Sequence, residues 1–310
     1  MPRLLVVGSA NLDFTVAVER LPREGETVSG GTLLVSHGGK GANQSWAAHR
    51  LGAEVRLVAQ VGRDPMGDQI VEHLSAAGFL REGLLRDAAA RTGVALIVVD
   101  REGRNQIAVA PGANRVLTPE RLAPFEGWVA WADAILCQLE TPIETVRWVL
   151  TRARRLGKLT LLNPAPPRPL PDDLYPLVDV LTPNENETLA LGGISGEGRD
   201  PIREAAQRLV KKGAGVVVVT LGADGALLVT REDAIHVPGF SVDAVDTTAA
   251  GDAFTGALAT ALAAGTPLTA AIPFANAAGA LTCTRRGAQE SLPDRESVEA
   301  LLRSKIRLST

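Results

Sequence analysis

Apolar runs and polar breaks divide this chain into two rhythms. Leu4 to Gly8, "LLVVG", is an uninterrupted apolar run that stops on a glycine, the pattern of a buried strand closed by a tight turn. "TVAV" from Thr15 and "TVSGGTLLVS" from Thr27 alternate apolar and polar positions and read as exposed strands, with Pro22 and Gly25 between them. "GGKGANQSWAAHRLG" opens on glycines, turns helical from about Ala42 and closes with Gly52 as its C-terminal cap. "VRLVAQVG" predicts a second buried strand, and a helical stretch follows from about Met66. From Gly93, "GVALIVVDREGRNQIAVA" is two apolar strands around a polar turn at Arg101 to Asn105, hence a hairpin.

From Ala134 strands and helices alternate. "AILCQLE", "LTLLNPAP" and "VDVLTPN" read as strands, and Pro142 to Leu156 as a helix. Helices around Glu185 to Leu191 and Pro201 to Lys212 lead to "GVVVVTLG", a β-branched run suited to a strand covered on both faces. This alternation predicts an α/β chain: a three-layer α/β/α sandwich around a mostly parallel sheet. Antiparallel pieces drawn from about 14–36 and 93–110 do not fit that sheet and are expected to form a small β-sheet flap beside it. With no internal repeat, low-complexity tract or linker, residues 1–310 read as one domain.

Composition narrows the function classes. At 45% hydrophobic and 22% charged residues, the 310-residue chain can bury a large core, which excludes disorder. A net charge of −3 gives no basic footprint for nucleic acid. Cys137 and Cys283 lack metal-ligand spacing and read as inert buried thiols of a reducing compartment, without a disulfide. The N-terminal apolar run is too short for a signal peptide, and no run is long enough to span a bilayer, so a cytoplasmic location is expected.

In doubly wound sheets, ligands sit beyond the carboxyl ends of the strands. Asn11, Asp13, Glu140, Asn163, Asn184, Glu187, Gly222 and Gly225 all follow predicted strands. "AVDTTAAGDAF" places Asp246 and Asp252 around small residues just before an alanine-rich helix. Amides at a helix start lack intrahelical partners, and the dipole there favours an anion. Asp252 is then either a first-turn acid of the helix or a carboxylate beside an anion hole, placed to take a proton from a hydroxyl that attacks phosphorus.

The motifs "GSANLD", "GGKGANQ", "GVALI", "QLE", "NPAP", "TPNENE", "TLGADG", "AVDTTAAGD" and "TRRGAQES", in this order, resemble the ribokinase family of PfkB-type sugar kinases over nearly the whole length. "GGKGANQ" and "AAGD" are the most specific. The resemblance implies ATP-dependent phosphorylation of D-ribose at O5, with Asp252 as general base and the amides of Ala249, Ala250 and Gly251 around the transferred phosphoryl group. It implies a sugar site of Asn11, Asp13, Gly39, Lys40, Asn43 and Glu140. It implies an ATP site of Asn184, Glu187, Thr220, Leu221, Gly222, Ala223, Asp224, Gly225, Gly251 and Asn276. Asn184 and Glu187 would also govern Mg²⁺, largely through water. Asp246, Thr248, Thr282, Arg285, Gly287 and Ser291 match a K⁺ site built mainly of backbone carbonyls. The flap would be a lid over the sugar, pairing with its copy in a homodimer. Three alternatives stand beside this one. The first is a kinase of the same type acting on deoxyribose, another sugar or a nucleoside. The second is a silent sugar-binding module, against which the intact base and anion hole speak. The third is a dinucleotide enzyme, which lacks its G-x-G-x-x-G here.

Overall fold

The structure, a computed structural model, describes residues 1–307. Strand β1 (Arg3–Val7) is apolar from Leu4 onward because both its faces are covered: Leu4 and Val6 join one core cluster, Leu5 and Val7 the other. The chain then leaves the central sheet for β2 (Asn11–Ala17) and β3 (Thr32–Gly38) and returns through α1 (Lys40–Arg50) to β4 (Glu54–Gly62). Helix α2 (Pro65–Ala76) leads to β5 (Leu84–Asp87), and β6 (Gly93–Val99) and β7 (Asn105–Ala110) form the expected hairpin. Two short helices, α3 (Pro119–Leu122) and α4 (Glu126–Trp131), precede β8 (Ala134–Cys137). The alternating half follows as α5 (Ile143–Arg155), β9 (Leu159–Leu162), β10 (Val180–Leu181), α6 (Glu185–Gly192), α7 (Arg199–Lys211) and β11 (Val216–Thr220). The chain ends with β12 (Ala226–Val229), β13 (Ala234–Val237), α8 (Ala250–Ala263), α9 (Leu268–Thr282) and α10 (Arg295–Arg307).

Nine strands form the central sheet in the order β13-β12-β11-β10-β9-β8-β1-β4-β5, parallel from β11 to β5. Side chains of α1, α2, α8, α9 and α10 pack on one face and those of α3 to α7 on the other, which is the three-layer sandwich. The second sheet, β3-β2-β6-β7, stands apart.

Several details differ from the sequence expectation. β12 and β13 add an antiparallel edge to the large sheet, a hairpin too short to stand out beside the long apolar runs. In the small sheet β2 pairs with β6 in parallel, because the chain crosses back through the central sheet between them. β3 begins at Thr32 rather than Thr27, after a glycine pair in which Gly30 has φ 91°. "QLE" and "NPAP" lie beyond their strands, not within them, which puts Glu140 and Asn163 on the rim.

Helix α1 starts at Lys40, two residues earlier than its apolar pattern, since Gly39 at φ 89° turns the chain directly into the helix. That entry is pressed against the turn after β1. A Cβ on Gly41 would stand 2.5 Å from the Ser9 nitrogen and 2.7 Å from Gly8 Cα, both backbone atoms that cannot step aside. Gly41→Ala is therefore expected to lower stability by about 1–3 kcal/mol, measured as a reduced urea midpoint with an unchanged m-value.

Candidate active site

Asp252 lies in the first turn of α8 and is 7% exposed. It does not cap its own helix. Its Oδ2 accepts from Asn43 Nδ2 at 3.0 Å and its Oδ1 from Gln44 Nε2 at 2.9 Å, both from α1. The two helices approach closely because they meet through small residues: a Cβ on Gly256 would fall 2.7 Å from the Gln44 carbonyl oxygen and 2.8 Å from Ala47 Cβ. The alanine-rich face of α8 is thus what brings the carboxylate and the two amides together.

Ala249, the N-cap of α8, is left-handed at φ 61°, a conformation that costs an L-residue about 1 kcal/mol or more. One expectation needs correction here. The Ala250 N–H donates to the Thr247 carbonyl at 3.2 Å, closing a turn. It is therefore already engaged, and the helix-start donors lacking a backbone partner are those of Ala249, Gly251 and Asp252.

Two cavities meet at this helix start. The first, about 250 Å³, is lined by Asp252, Ala249 and Gly251 together with Lys40, Asn184 and Glu187. The second, about 590 Å³, is lined by Gly222, Ala223, Asp224 and Gly225, by Ala250 and Gly251, and by Asn276. Thr220, Thr247 and Gly251 border both. Leu221 is the exception on this side: its side chain is buried in the apolar core, leaving only main-chain atoms for a ligand. Asn276 donates from Nδ2 to the Val237 and Pro238 carbonyls at 3.2 and 3.4 Å, so it also holds the loop after β13. His236, Phe240 and Cys283 line the same cavity; sequence reasoning missed all three, the first two because they lie on an edge hairpin and its exit, Cys283 because it read as an inert thiol. Cys283 is only half-buried, against the expectation of a buried thiol, whereas Cys137 is buried and its thiol is pushed up by desolvation.

Asn184 and Glu187 form a reciprocal capping box at the start of α6, with the Glu187 N–H donating to Asn184 Oδ1 at 2.8 Å and the Asn184 N–H to Glu187 Oε2 at 2.9 Å. Burial pushes the Glu187 carboxyl up, against the pull of the Asn184 N–H and Lys40, with Asp252 adding to the rise. Lys40 is held above its ordinary value by Asp252 first, then by Glu140 and Glu187, against desolvation.

A third cavity, about 560 Å³, is bordered by Asn11 and Glu140. Glu140 Oε2 accepts from the Lys40 N–H at 2.9 Å and from the Ser9 hydroxyl, an acid at the N-terminus of α1. Asn11 Oδ1 accepts from Asn114 Nδ2 at 2.7 Å. Asp13 Oδ1 is buried without a hydrogen-bond partner. Its carboxyl is pushed up to about 7 by burial and by the nearby Glu140, Asp252 and Glu290.

The loops before α8 and after α9 are joined. Asp246 Oδ1 accepts from the Thr248 N–H at 2.9 Å and Oδ2 from the Gly287 N–H at 3.0 Å. Burial works against this carboxylate, but the bonds from Thr248 and Gly287 outweigh it and hold the carboxyl below its ordinary value. The Thr282 and Ser291 hydroxyls donate to the carbonyls of Ala278 and Ala288, and the Arg285 N–H donates to the Thr282 carbonyl at 3.3 Å.

Comparison with known proteins gives the chain its family. Residues 1–295 match the model of the pfkB family carbohydrate kinases. The chain is 37% identical over 293 residues to a ribokinase of Haemophilus influenzae, covering 94% of this chain and 96% of that one. It is 35% identical over 300 residues to a deoxyribokinase of Salmonella typhi, covering 96% and 98%. The solved structure of an Arabidopsis thaliana ribokinase complexed with ribose and ATP superposes with a TM-score of 0.90 at 35% identity, covering 97% of this chain and 98% of that one. The chain belongs to the pfkB family of carbohydrate kinases.

Proposed function

We propose that this kinase transfers the γ-phosphoryl group of ATP to O5 of D-ribose, giving ribose 5-phosphate and ADP. The observation that carries the proposal is the position of Asp252: a buried carboxylate lining one cavity, one residue from Gly251, which borders both that cavity and the glycine-lined one. In this reaction the O5–phosphorus bond forms, the bond from phosphorus to the ADP oxygen breaks, and Asp252 takes the hydroxyl proton. The Ala249, Gly251 and Asp252 N–H groups and the dipole of α8 stabilise the charge spread over the phosphoryl oxygens. Asn11, Asp13, Lys40, Asn43 and Glu140 hold the sugar hydroxyls, and the 222–225 turn with Asn276 holds the nucleotide.

Mg²⁺ bound with ATP neutralises phosphate charge. Asn184 and Glu187 suit a water-mediated role, since each already gives one oxygen to the capping box and both border the cavity beside Asp252. The Asp246–Gly287 link ties the loop before α8 to the loop after α9, the two loops that carry the residues proposed to surround K⁺. A cation there would fix the loop that carries Ala249.

The deciding experiment measures turnover on ribose, 2-deoxyribose, fructose and a nucleoside with MgATP, in K⁺ and in Na⁺ buffers. Ribose is expected to have the highest kcat/KM, with K⁺ raising the rate above Na⁺. Preference for 2-deoxyribose, the substrate class of the Salmonella relative's name, would replace the ribose assignment. Equal rates in the two salts would remove the K⁺ site.

The small sheet is proposed to be a lid that pairs with its copy in a cytoplasmic homodimer. Leu33, Val35 and Leu96 on one face of this sheet, and Leu34, Ile107 and Val109 on the other, are 47–58% exposed, apolar side chains that a partner sheet would cover. Sedimentation equilibrium is expected to give a dimer, and Leu34→Glu with Ile107→Glu a monomer. A wild-type monomer at micromolar concentration would exclude the pairing.

A further inference from the structure

Resting on the reading of Asp252 as the base, we infer that Gln44 is a positioning residue for it, its direction fixed by a run of amides that ends on a main-chain carbonyl. Gln44 is fully buried. Both N–H bonds of its Nε2 are engaged, one on Asp252 Oδ1 at 2.9 Å and one on Asn163 Oδ1 at 3.0 Å. Its Oε1 accepts from Gln138 Nε2 at 2.6 Å. No hydrogen-bonding hydrogen is left for a sugar or a nucleotide. What Gln44 can act on is the carboxylate.

The polarity follows from elementary chemistry. Asn163 Nδ2 stands 2.7 Å from the Thr182 carbonyl oxygen. A carbonyl only accepts, so the NH₂ of Asn163 must face it. The Asn163 oxygen then faces Gln44, which must donate; Gln138 donating to Gln44 from the other side agrees. Gln44 is thus obliged to present N–H to Asp252. With its amide reversed, its single oxygen would face the oxygen of Asn163 and Oδ1 of Asp252 at once.

The consequence for catalysis is geometric. The terminal torsion of an aspartate is broad, so an unsupported carboxylate swings about Cβ–Cγ. Gln44 on one oxygen and Asn43 on the other fix its plane, and bonds to a charged acceptor are the stronger kind. Lys40 on α1, Asp13 on β2 and Glu187 on α6 are the charged groups that act on Asp252 or feel it, and all three stay in place in the variants below.

Gln44→Met keeps length and removes the donor; Gln44→Glu keeps shape and replaces the donor with a like charge. Both are expected to lower kcat about 10–100-fold, the scale of a small misplacement, with KM for sugar and ATP changed less than about threefold. In both, the acid limb of the kcat–pH profile moves to higher pH, further in Gln44→Glu, because the carboxylate form has lost a donor or gained a repelling neighbour. A lower Tm with kcat and acid limb as in wild type would make Gln44 a packing residue and overturn the inference. Asn163→Leu supplies the second measurement, needed if Gln44→Met does not fold. It is expected to lower kcat in the same direction, and the double variant with Gln44→Met or Gln44→Glu to be no slower than that Gln44 variant alone. Additive losses would overturn the polarity argument. Asp252→Asn separates the two ideas: if it keeps turnover, the base assignment fails and takes this inference with it. If it loses turnover while Gln44→Met does not, this inference alone fails.

Discussion

Asp252→Asn is expected to bind the sugar and MgATP with near-native affinity and to turn over about 10²–10⁴-fold more slowly. The change keeps the shape of the side chain, so the packing of α8 on α1 through Gly256 and Ala47 stays intact. What disappears is the acceptor that takes the proton. The substituted amide also meets two amides already turned to donate, from Asn43 and Gln44, so one donor–donor contact must be relieved by rotation or water. Calorimetry on the variant with each substrate, beside steady-state kcat, checks this. A near-normal kcat would remove Asp252 from proton transfer and leave the site as a binding cleft.

Asp13→Asn is expected to move stability and binding in opposite directions. Burial first, then Glu140, Asp252 and Glu290, push this carboxyl up to about 7. The folded value lies above the ordinary one, so the folded chain holds a proton that the unfolded chain releases between about pH 4 and 7. Stability therefore falls as pH rises through that window, and above it the ionised carboxylate opposes folding in full. Removing the charge should stabilise the protein at pH 8, by at most about 4 kcal/mol on the scale of 1.36 per unit and by less once solvent screening is counted. Below about pH 4 the difference should close. Sugar affinity should fall about 10–10²-fold, the scale of losing a hydrogen bond to a charged group. Urea midpoints at both pH values and sugar titrations check the pair. Equal destabilisation at pH 4 and pH 8 would show that the carboxylate rests comfortably in the fold.

How much of this was legible in the sequence depended on the range of the interactions involved. Strand β1 and the β-branched β11 announce themselves because both faces are buried and no polar position interrupts them. The helix at Asn184 was legible because its capping box is closed within four residues. The helix start at Ala250 was legible for the same local reason, but the engagement of the Ala250 amide by Thr247 was not, since it depends on the left-handed Ala249. The β12–β13 edge escaped because four-residue strands carry little periodicity. With it went His236 and Phe240, which line the cavity bordered by Gly222 and Gly225. Gln44 stood inside a quoted motif, yet nothing local shows its task. Its partners Gln138, Asn163 and Asp252 are 94, 119 and 208 positions away, and only the closed sheet brings them to one point.

Asn11 and Asp13 are residues of β2 itself, paired in register with Gly38 and Ser36 on one side and with Gly93 and Ala95 on the other. The upper sheet does not merely roof those two side chains; it owns them. Any rigid excursion of that sheet carries both away from Asp252, which stays on α8. On the proposed reading of this sheet as a lid, grip and enclosure are mechanically one coordinate: raising the vault also withdraws Asn11 and Asp13 from the sugar.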